Sequence, residues 1–302
     1  IRVVTMDYGV WAGTGMAAHA ARKLRLGLED GTPIEHPVLA EHHRGRDGAD
    51  VLVGRLDAAH DWVVAEHRTE SGVALLPGTG HVELMLAALA HAGVAGGGLR
   101  NVALLEPLVV PDAHPVTVKV TVAAPDAKGV RVVRIDSDHG RGRAWYTHSE
   151  AEVFTDPAAA AAGPDADLLD AERRCGLDGA DVLAGPRRHL QLGARWNAVR
   201  TAALGDGEIA GRIALPDAFR GDAGAWLAHP ALLDVATAFG VHLGVTDDDR
   251  VLYVPVGYDE ITSLAPLPTD LLVHAVRRPS STEQVLRVDL TLADATGTVA
   301  LR

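Results

Sequence analysis

The chain has 302 residues, of which 47% are hydrophobic and 23% charged, and it carries a formal net charge of −12. That balance describes a folded chain rather than a disordered one, long enough for one large domain or two modest ones. The acidic excess, with Lys23, Lys119 and Lys128 as the only lysines, argues against nucleic-acid binding, which needs clustered cations.

The opening segment IRVVTMDYGVW lacks the charged start, apolar core and cleavage site of a signal peptide. It also begins without Met, as a piece of a longer polypeptide would. Residues 1–33 read as a short strand, a Gly-rich turn, a helix around Met16–Gly27 and a linker, with folding proper expected from Ile34. No run of about 18 apolar residues predicts a membrane span. Cys175 is the single cysteine, so no internal disulfide forms, and a cytoplasmic setting is expected. It lies in the polar stretch Glu172-Arg173-Arg174-Cys175-Gly176 and reads as a bystander.

Residues 34–156 are strand-rich around one helix. Strands are expected at Val51–Leu56, Val102–Val110, Val116–Ala123, Val130–Ile135 and Trp145–Phe154, from β-branched content or polar–apolar alternation. The helix is predicted over Gly80–Ala92, with Val82, Met85, Leu86 and Leu89 at helical spacing and Gly93 ending it. Residues 157–187 are rich in Ala, Pro, Gly and Asp and read as a surface linker with a weak helical signal at 167–174. Residues 188–302 repeat the plan. Trp196–Ala203 and Glu208–Leu215 flank the turn Gly205-Asp206-Gly207. A helix follows over Ala231–Leu243, then strands at Val251–Pro255, Leu271–Arg277, Val285–Leu292 and Val299–Leu301. A long apolar helix among strands, met twice, predicts an α+β double hotdog: two tandem units, each a curved antiparallel sheet wrapped around a central helix.

Two segments have the composition of a reaction site. His67 precedes a turn containing Gly72, an apolar run and Pro77-Gly78-Thr79-Gly80 at the helix start. Glycines admit a ligand close to the backbone, and the first N–H groups of a helix can hold an oxygen that gains charge. A histidine titrating near pH ~6.5 suits general base work. The second segment is His229-Pro230-Ala231-Leu232-Leu233-Asp234. Asp234 among apolar neighbours fits a carboxylic acid kept protonated by desolvation, but on position alone an ordinary acidic residue favoured by a helix N-terminus is the readier reading. His67 likewise reads either as a base or as one more structural histidine among the fifteen present.

These segments together resemble the dehydratase domains of modular polyketide synthases, which carry HxxxGxxxxP in the first half and HPALLD in the second. The chain offers His67, Gly72 and Pro77, an intact HPALLD at 229–234, HPVL at 36–39, Trp62 ahead of His67, PGTGxxEL at 77–84, VPV at 254–256 and LADATGTVA at 292–300. The likeness covers roughly residues 34–302. It departs at three places. Four residues rather than three separate His67 from Gly72. The position four after Asp234, often Gln or His in the family, is Ala238. The family's YGPxF reads Leu192-Gly193-Ala194-Arg195-Trp196.

The resemblance implies a double hotdog in which His67 is the base and Asp234 the acid. The expected reaction takes a 3-hydroxyacyl thioester on the phosphopantetheine arm of an acyl carrier protein to water and an α,β-unsaturated thioester. Backbone N–H groups near Gly78 and the following helix turn would hold the thioester oxygen, with Gly72 and Pro77 counted among the substrate and oxyanion residues. Trp196 and His229 are candidates for the substrate tunnel, His229 being equally open to a structural role. The resemblance further implies no bound cofactor and a homodimer; because the carrier's helices and phosphate are negative, a local arginine patch is expected to dock it on this acidic chain. The stretch Asp7-Tyr8-Gly9-Val10-Trp11 through Met16 resembles the end of polyketide ketoreductase domains, which would place a ketoreductase directly upstream. Alternatives are a double-bond isomerase or oxygen-heterocycle-forming cyclase on the same fold, and a non-catalytic scaffold. A metal site is disfavoured, because His36, His42, His43 and His60 lack the spacing of zinc ligands.

Overall fold

The computed structural model describes residues 31–94, 97–138, 145–155, 165–175, 177–178, 182–244, 254–282 and 284–302. The expected helix Met16–Gly27, the ketoreductase-like opening and residues 251–253 of the expected strand Val251–Pro255 lie outside the described residues.

The first half begins with β1 (Thr32–Pro33), β2 (Leu39–Arg44) and β3 (Asp50–Leu56). A single turn of helix, α1 (Trp62–Ala65), leads into the short strand β4 (His67–Thr69) and the long helix α2 (Gly78–His91). Then come β5 (Gly97–Leu104), β6 (Val116–Val122), β7 (Arg131–Asp138) and β8 (Tyr146–Thr155). The second half contains α3 (Ala166–Arg174), β9 (Leu177–Asp178), α4 (Ala184–His189), β10 (Leu190–Leu192), β11 (Val199–Leu204) and β12 (Glu208–Ala214). It closes with α5 (Pro230–Val241), β13 (Gly257–Thr262), β14 (Asp270–Arg277), β15 (Val288–Ala293) and β16 (Val299–Leu301).

Two large antiparallel sheets and the two-stranded ribbon β10-β4 form among the described residues. The larger runs β1-β2-β3-β6-β7-β8-β5-β13, and the smaller runs β16-β15-β14-β12-β11-β9. In β6 the valines Val116, Val118, Val120 and Val122 are fully buried and alternate with half-exposed residues. One face of the sheet therefore closes on α2, as a period of two requires. Helix α2 is buried on every side from Thr79 to Leu89, the pattern of a helix enclosed by its own domain. Each of Val82, Met85, Leu86 and Leu89, all buried, contributes about 1.5–3 kcal/mol by leaving water. Gly93 ends the helix at φ 72°, a backbone state that glycine enters without strain. Helix α5 opens on Pro230, whose ring pre-sets the first helical φ, and packs on β12, β14 and β15. The two central helices also pack on each other, and one apolar core runs through both halves.

Some elements depart from the sequence expectation for identifiable reasons. The expected strand Val102–Val110 is two pieces. β5 starts earlier and stops at Leu104, ahead of Pro107, which has no N–H to give a ladder. Beyond it, Leu108 and Val110 pair with Leu76 and Ala74 instead. Trp196 lies in a short 3-10 turn (Ala194–Trp196) rather than in a strand. Helix α3 falls inside the expected linker, where Leu168 and Ala171 are buried, Leu168 in a cluster with Leu272, Ala293 and Val299. Cys175 is buried beside Ala171, Ala203 and Ala210, and burial, then the charge of Glu208, push its thiol pKa up.

The strand with the largest consequence is β13. It comes after α5 in the chain, yet pairs with β5 and so completes the edge of the first sheet. Its last residue, Thr262, exchanges backbone hydrogen bonds with Arg302 next to β16. The second half thus contributes a wall to the region where the two helices begin.

Candidate active site

The site is assembled where β4 and β10 pair, because this two-stranded ribbon joins a segment of each half. Its register sets His67 opposite Leu192 and Arg68 opposite Gln191. Glu66, next to His67, fastens the segment that follows β10. Its carbonyl accepts from the Gly193 N–H at 2.8 Å. Its carboxylate accepts from the Arg195 backbone N–H at 3.1 Å and from the Arg195 guanidinium. A Cβ at Gly193 would fall into the Glu66 side chain, so glycine is required there. The Arg195 guanidinium also bonds Asp222 at 2.8 Å and lies over the Trp62 and Phe219 rings.

His67 is buried. Its Nδ1 is 3.0 Å from the Leu75 carbonyl, which can only accept, so Nδ1 carries the proton and Nε2 presents a lone pair. The Leu75 N–H in turn bonds the His67 carbonyl at 3.1 Å. The extra residue in the His67–Gly72 spacing is absorbed beyond this pairing, in the turn Thr69-Glu70-Ser71-Gly72. There the Gly72 N–H bonds the Thr69 carbonyl at 2.9 Å and Gly72 takes φ 85°. His67 is therefore pinned upstream of the insertion, and Gly72 serves the turn with open space around it.

Asp234 is the fifth residue of α5, past the first turn, and is half-buried. No acidic residue stands in the first turn of that helix, so Asp234 lies beyond reach of its first free N–H groups. Instead its Oδ2 accepts the indole N–H of Trp196 at 2.7 Å. Trp196 is fully buried, and its ring stacks on His67 at 5.8 Å between centroids and 29° between planes. One side chain therefore touches both the base candidate and the acid candidate, one from each half. Ala238, one turn on from Asp234, has no polar side-chain atom to offer.

The two helices start side by side. The Thr79 hydroxyl donates to the Pro230 carbonyl at 3.0 Å. Pro77 is buried and precedes the helix in extended conformation. Gly78, the first residue of α2, has an N–H that no intrahelical carbonyl can satisfy. A Cβ at Gly78 would come within 2.9 Å of Leu104 and 3.3 Å of Pro255, so the glycine keeps the helix start narrow but unblocked.

His229 is completely buried, and neither of its ring nitrogens has a hydrogen-bond partner. It stacks on Trp62 at 4.9 Å and 13°. Burial pushes its pKa down to about 4, with Asp222 opposing and Arg195 adding to the effect, so the ring is neutral near neutral pH. The loop that carries it is held by Glu83 of α2, whose buried carboxylate accepts the Leu227 N–H at 3.0 Å and the Ala228 N–H. His36 Nε2 stands 3.5 Å from the same carboxylate. Sequence reading passed over Glu83, Glu66 and Arg195 as site residues. Glu83 stands inside the recognised PGTGxxEL motif, but nothing local tells that its carboxylate reaches across to the other half.

The histidines weighed as metal ligands are each engaged separately. His36 accepts from the Val38 and Leu39 N–H groups, while His42 bonds Asp50, His43 bonds Glu41 and His60 bonds Asp57. No group of three His, Cys, Asp or Glu suited to a metal occurs among the described residues. No helix among them is long and apolar enough to cross a membrane. A cavity of about 550 Å³ opens at the far end of α2, lined in part by Arg100, Lys128 and Arg131. It contains neither His67 nor Asp234.

The fold is that of a double hotdog, with a histidine from the first unit and an aspartate from the second meeting at one tryptophan. A family profile described as the polyketide synthase dehydratase domain matches residues 36–138, and one described as the polyketide synthase dehydratase N-terminal domain matches 184–302. The chain belongs to the polyketide synthase dehydratase family, whose reaction class is that of a hydro-lyase. Polyketide synthase GfsE of Streptomyces halstedii is 34% identical over 220 residues, covering 67% of this chain and 5% of that protein. The chain thus spans a small part of such a relative. The dehydratase domain from the terminal module of the rifamycin polyketide synthase has 27% identity and a TM-score of 0.69, covering 92% of this chain and 96% of that one. The CurK dehydratase, described in two structures as an inactive mutant (His to Phe in one, Asp to Asn in the other), shares the fold at 23% identity. The TM-score is 0.76 in both cases, with 88% of this chain and 94% of that one covered.

Proposed function

We propose that this domain removes water from a 3-hydroxyacyl thioester, with His67 as base and Asp234 as acid. The observation that carries the reading is the Trp196 bridge, which stacks on His67 and donates to Asp234. The α-proton of a thioester becomes acidic only if charge on the carbonyl oxygen is stabilised. The free N–H of Gly78 at the start of α2 is suited to that. His67 Nε2, left with its lone pair because Nδ1 is bound to Leu75, takes the α-proton. The electron pair of that C–H bond becomes the Cα=Cβ double bond as the Cβ–O bond breaks, and Asp234 delivers its proton to the departing oxygen. Water and an α,β-unsaturated thioester result. The indole N–H on Oδ2 leaves Oδ1 free to give the proton and favours the carboxylate that remains. Positioned acid–base groups of this kind each contribute about 100- to 10,000-fold.

In this reading the substrate arrives on the phosphopantetheine of an acyl carrier protein, with no bound cofactor. A carrier docks on arginines of this acidic chain, and the functional unit is a homodimer with a ketoreductase upstream to supply the β-hydroxyl. Residues 34–156 and 188–302 act as the two hotdog units, with 157–187 connecting them while lending β9 to the second sheet, and 1–33 as the tail and linker. The two inactive CurK variants support one essential His and one essential Asp in a domain of this fold. The test is reconstitution with 3-hydroxyacyl-phosphopantetheinyl carrier protein. Loss of one water from one hydroxyl stereoisomer is expected. No loss from any acyl chain tried, in a folded protein, would refute the proposal.

A further inference from the structure

Tyr258 is a polar side chain to which the scheme above gives no task. It lies on β13, the strand that the second half adds to the first sheet, in register with Val102 of β5. Its ring is partly exposed, but its hydroxyl is buried and has no hydrogen-bond partner of normal geometry. A Cβ built at Gly78 would lie 3.9 Å from that oxygen, so the phenol stands beside the first residue of α2. On the α5 side stand Asp234 and Thr237. Burial above all pushes the phenol pKa up, while Thr237 opposes. The Thr237 hydroxyl donates its own proton to the Leu233 carbonyl at 2.8 Å.

A buried hydroxyl without a partner is costly, and folded chains seldom keep one unless something outside the chain completes it. Near it is the N–H of Gly78, the first residue of α2, which a helix start cannot satisfy internally. Two donors therefore stand together between the helix that carries the oxyanion candidate and the helix that carries Asp234. Resting on the dehydratase reading, we infer that the Tyr258 hydroxyl is a substrate-contacting group that donates a hydrogen bond to the carbonyl oxygen of the bound thioester, alongside the Gly78 N–H. It stays protonated and forms no covalent bond. Its effect is to hold the charge that appears on that oxygen when His67 takes the α-proton.

The test is Tyr258→Phe, read in two ways. With carrier-bound 3-hydroxyacyl substrate, kcat/KM is expected to fall about 10- to 100-fold, mainly in kcat, because the donor acts on developing charge. Melting temperature is expected to stay level or rise, because a partnerless buried hydroxyl has been removed. A kcat/KM within about twofold of the unaltered protein overturns the inference. The second reading uses two unreactive pantetheine ligands of equal chain length, an amide that keeps the carbonyl and a thioether that lacks it. The unaltered protein is expected to prefer the amide by about 5- to 10-fold, and Tyr258→Phe to lose that preference. If the unaltered protein eliminates no water, the dehydratase reading fails, while the ligand pair still decides the tyrosine. An equal preference in both proteins, or no binding of either ligand, overturns its assignment.

Discussion

The indole N–H of Trp196 donates to Oδ2 of Asp234 over 2.7 Å, and the face of the same indole lies against His67. The two groups come from different halves of the chain, so the relation between them depends on one buried side chain. Trp196→Phe keeps an aromatic face against His67 and removes the N–H. A hydrogen bond to a charged group is worth about 1.5–3 kcal/mol, so kcat is expected to fall about 10- to 100-fold. The measure is turnover of carrier-bound substrate. Undiminished kcat would mean that Asp234 needs no support from the indole.

The position of Trp196 is set by Glu66 and Arg195. The Arg195 guanidinium serves Glu66 and Asp222 together while lying 4.7 Å from the centre of the Trp62 ring and 4.2 Å from that of Phe219. Arg195→Leu leaves two partly buried carboxylates without their cation. It is expected to cost about 1–3 kcal/mol in denaturant unfolding, allowing for partial solvent screening. Arg195→Lys is expected to recover little, since an ammonium cannot reproduce the planar fork or the stacking. Full recovery by lysine would show that charge alone matters.

Two buried histidines make stability depend on pH. Burial, and then the charge of His148, push His81 down to about 3, and burial above all pushes His229 down to about 4. In the unfolded chain both titrate near ~6.5. Below that pH the unfolded state binds protons that the folded state does not. The stability they contribute is thus complete above about 6.5. It is lost as pH falls toward about 4 for His229 and about 3 for His81, at about 1.4 kcal/mol per pH unit for each histidine. Denaturant melts at several values from pH 7 to pH 5 should show the decline, and His229→Phe should make it shallower. A variant curve parallel to that of the unaltered protein would contradict this assignment.

Gly72 takes φ 85° in the turn that follows His67, with open space around it. Gly72→Ala is expected to cost about 1 kcal/mol from left-handed strain. Turnover is expected to remain within about twofold, because His67 is fixed by its pairing with Leu75. A loss of activity at unchanged stability would instead make Gly72 a substrate contact.

Much of this architecture is written in local pattern. The valines of β6 alternate, and Val82, Met85, Leu86 and Leu89 mark α2, so sheet and helix are readable without coordinates. Asp234 alone reads as a helix-dipole residue or as an acid. Its place past the first turn shows only once the helix start is fixed, and its Trp196 partner is a tertiary fact. β13 escaped because Gly257-Tyr258-Asp259-Glu260-Ile261-Thr262 is a mostly exposed edge strand with only Ile261 buried. Nothing in its own sequence names β5 as its neighbour. Glu83 and Glu66 act across the two halves, and such pairings carry no periodic signal.

The most direct measurement is a mass-spectrometric turnover assay on both β-hydroxyl stereoisomers of a short acyl chain carried by its carrier protein. It compares the unaltered domain with His67→Phe and Asp234→Asn, each checked for folding. Loss of one water from a single isomer, absent in both variants, is the predicted result. Dehydration that persists in either folded variant would contradict the pairing of His67 as base with Asp234 as acid.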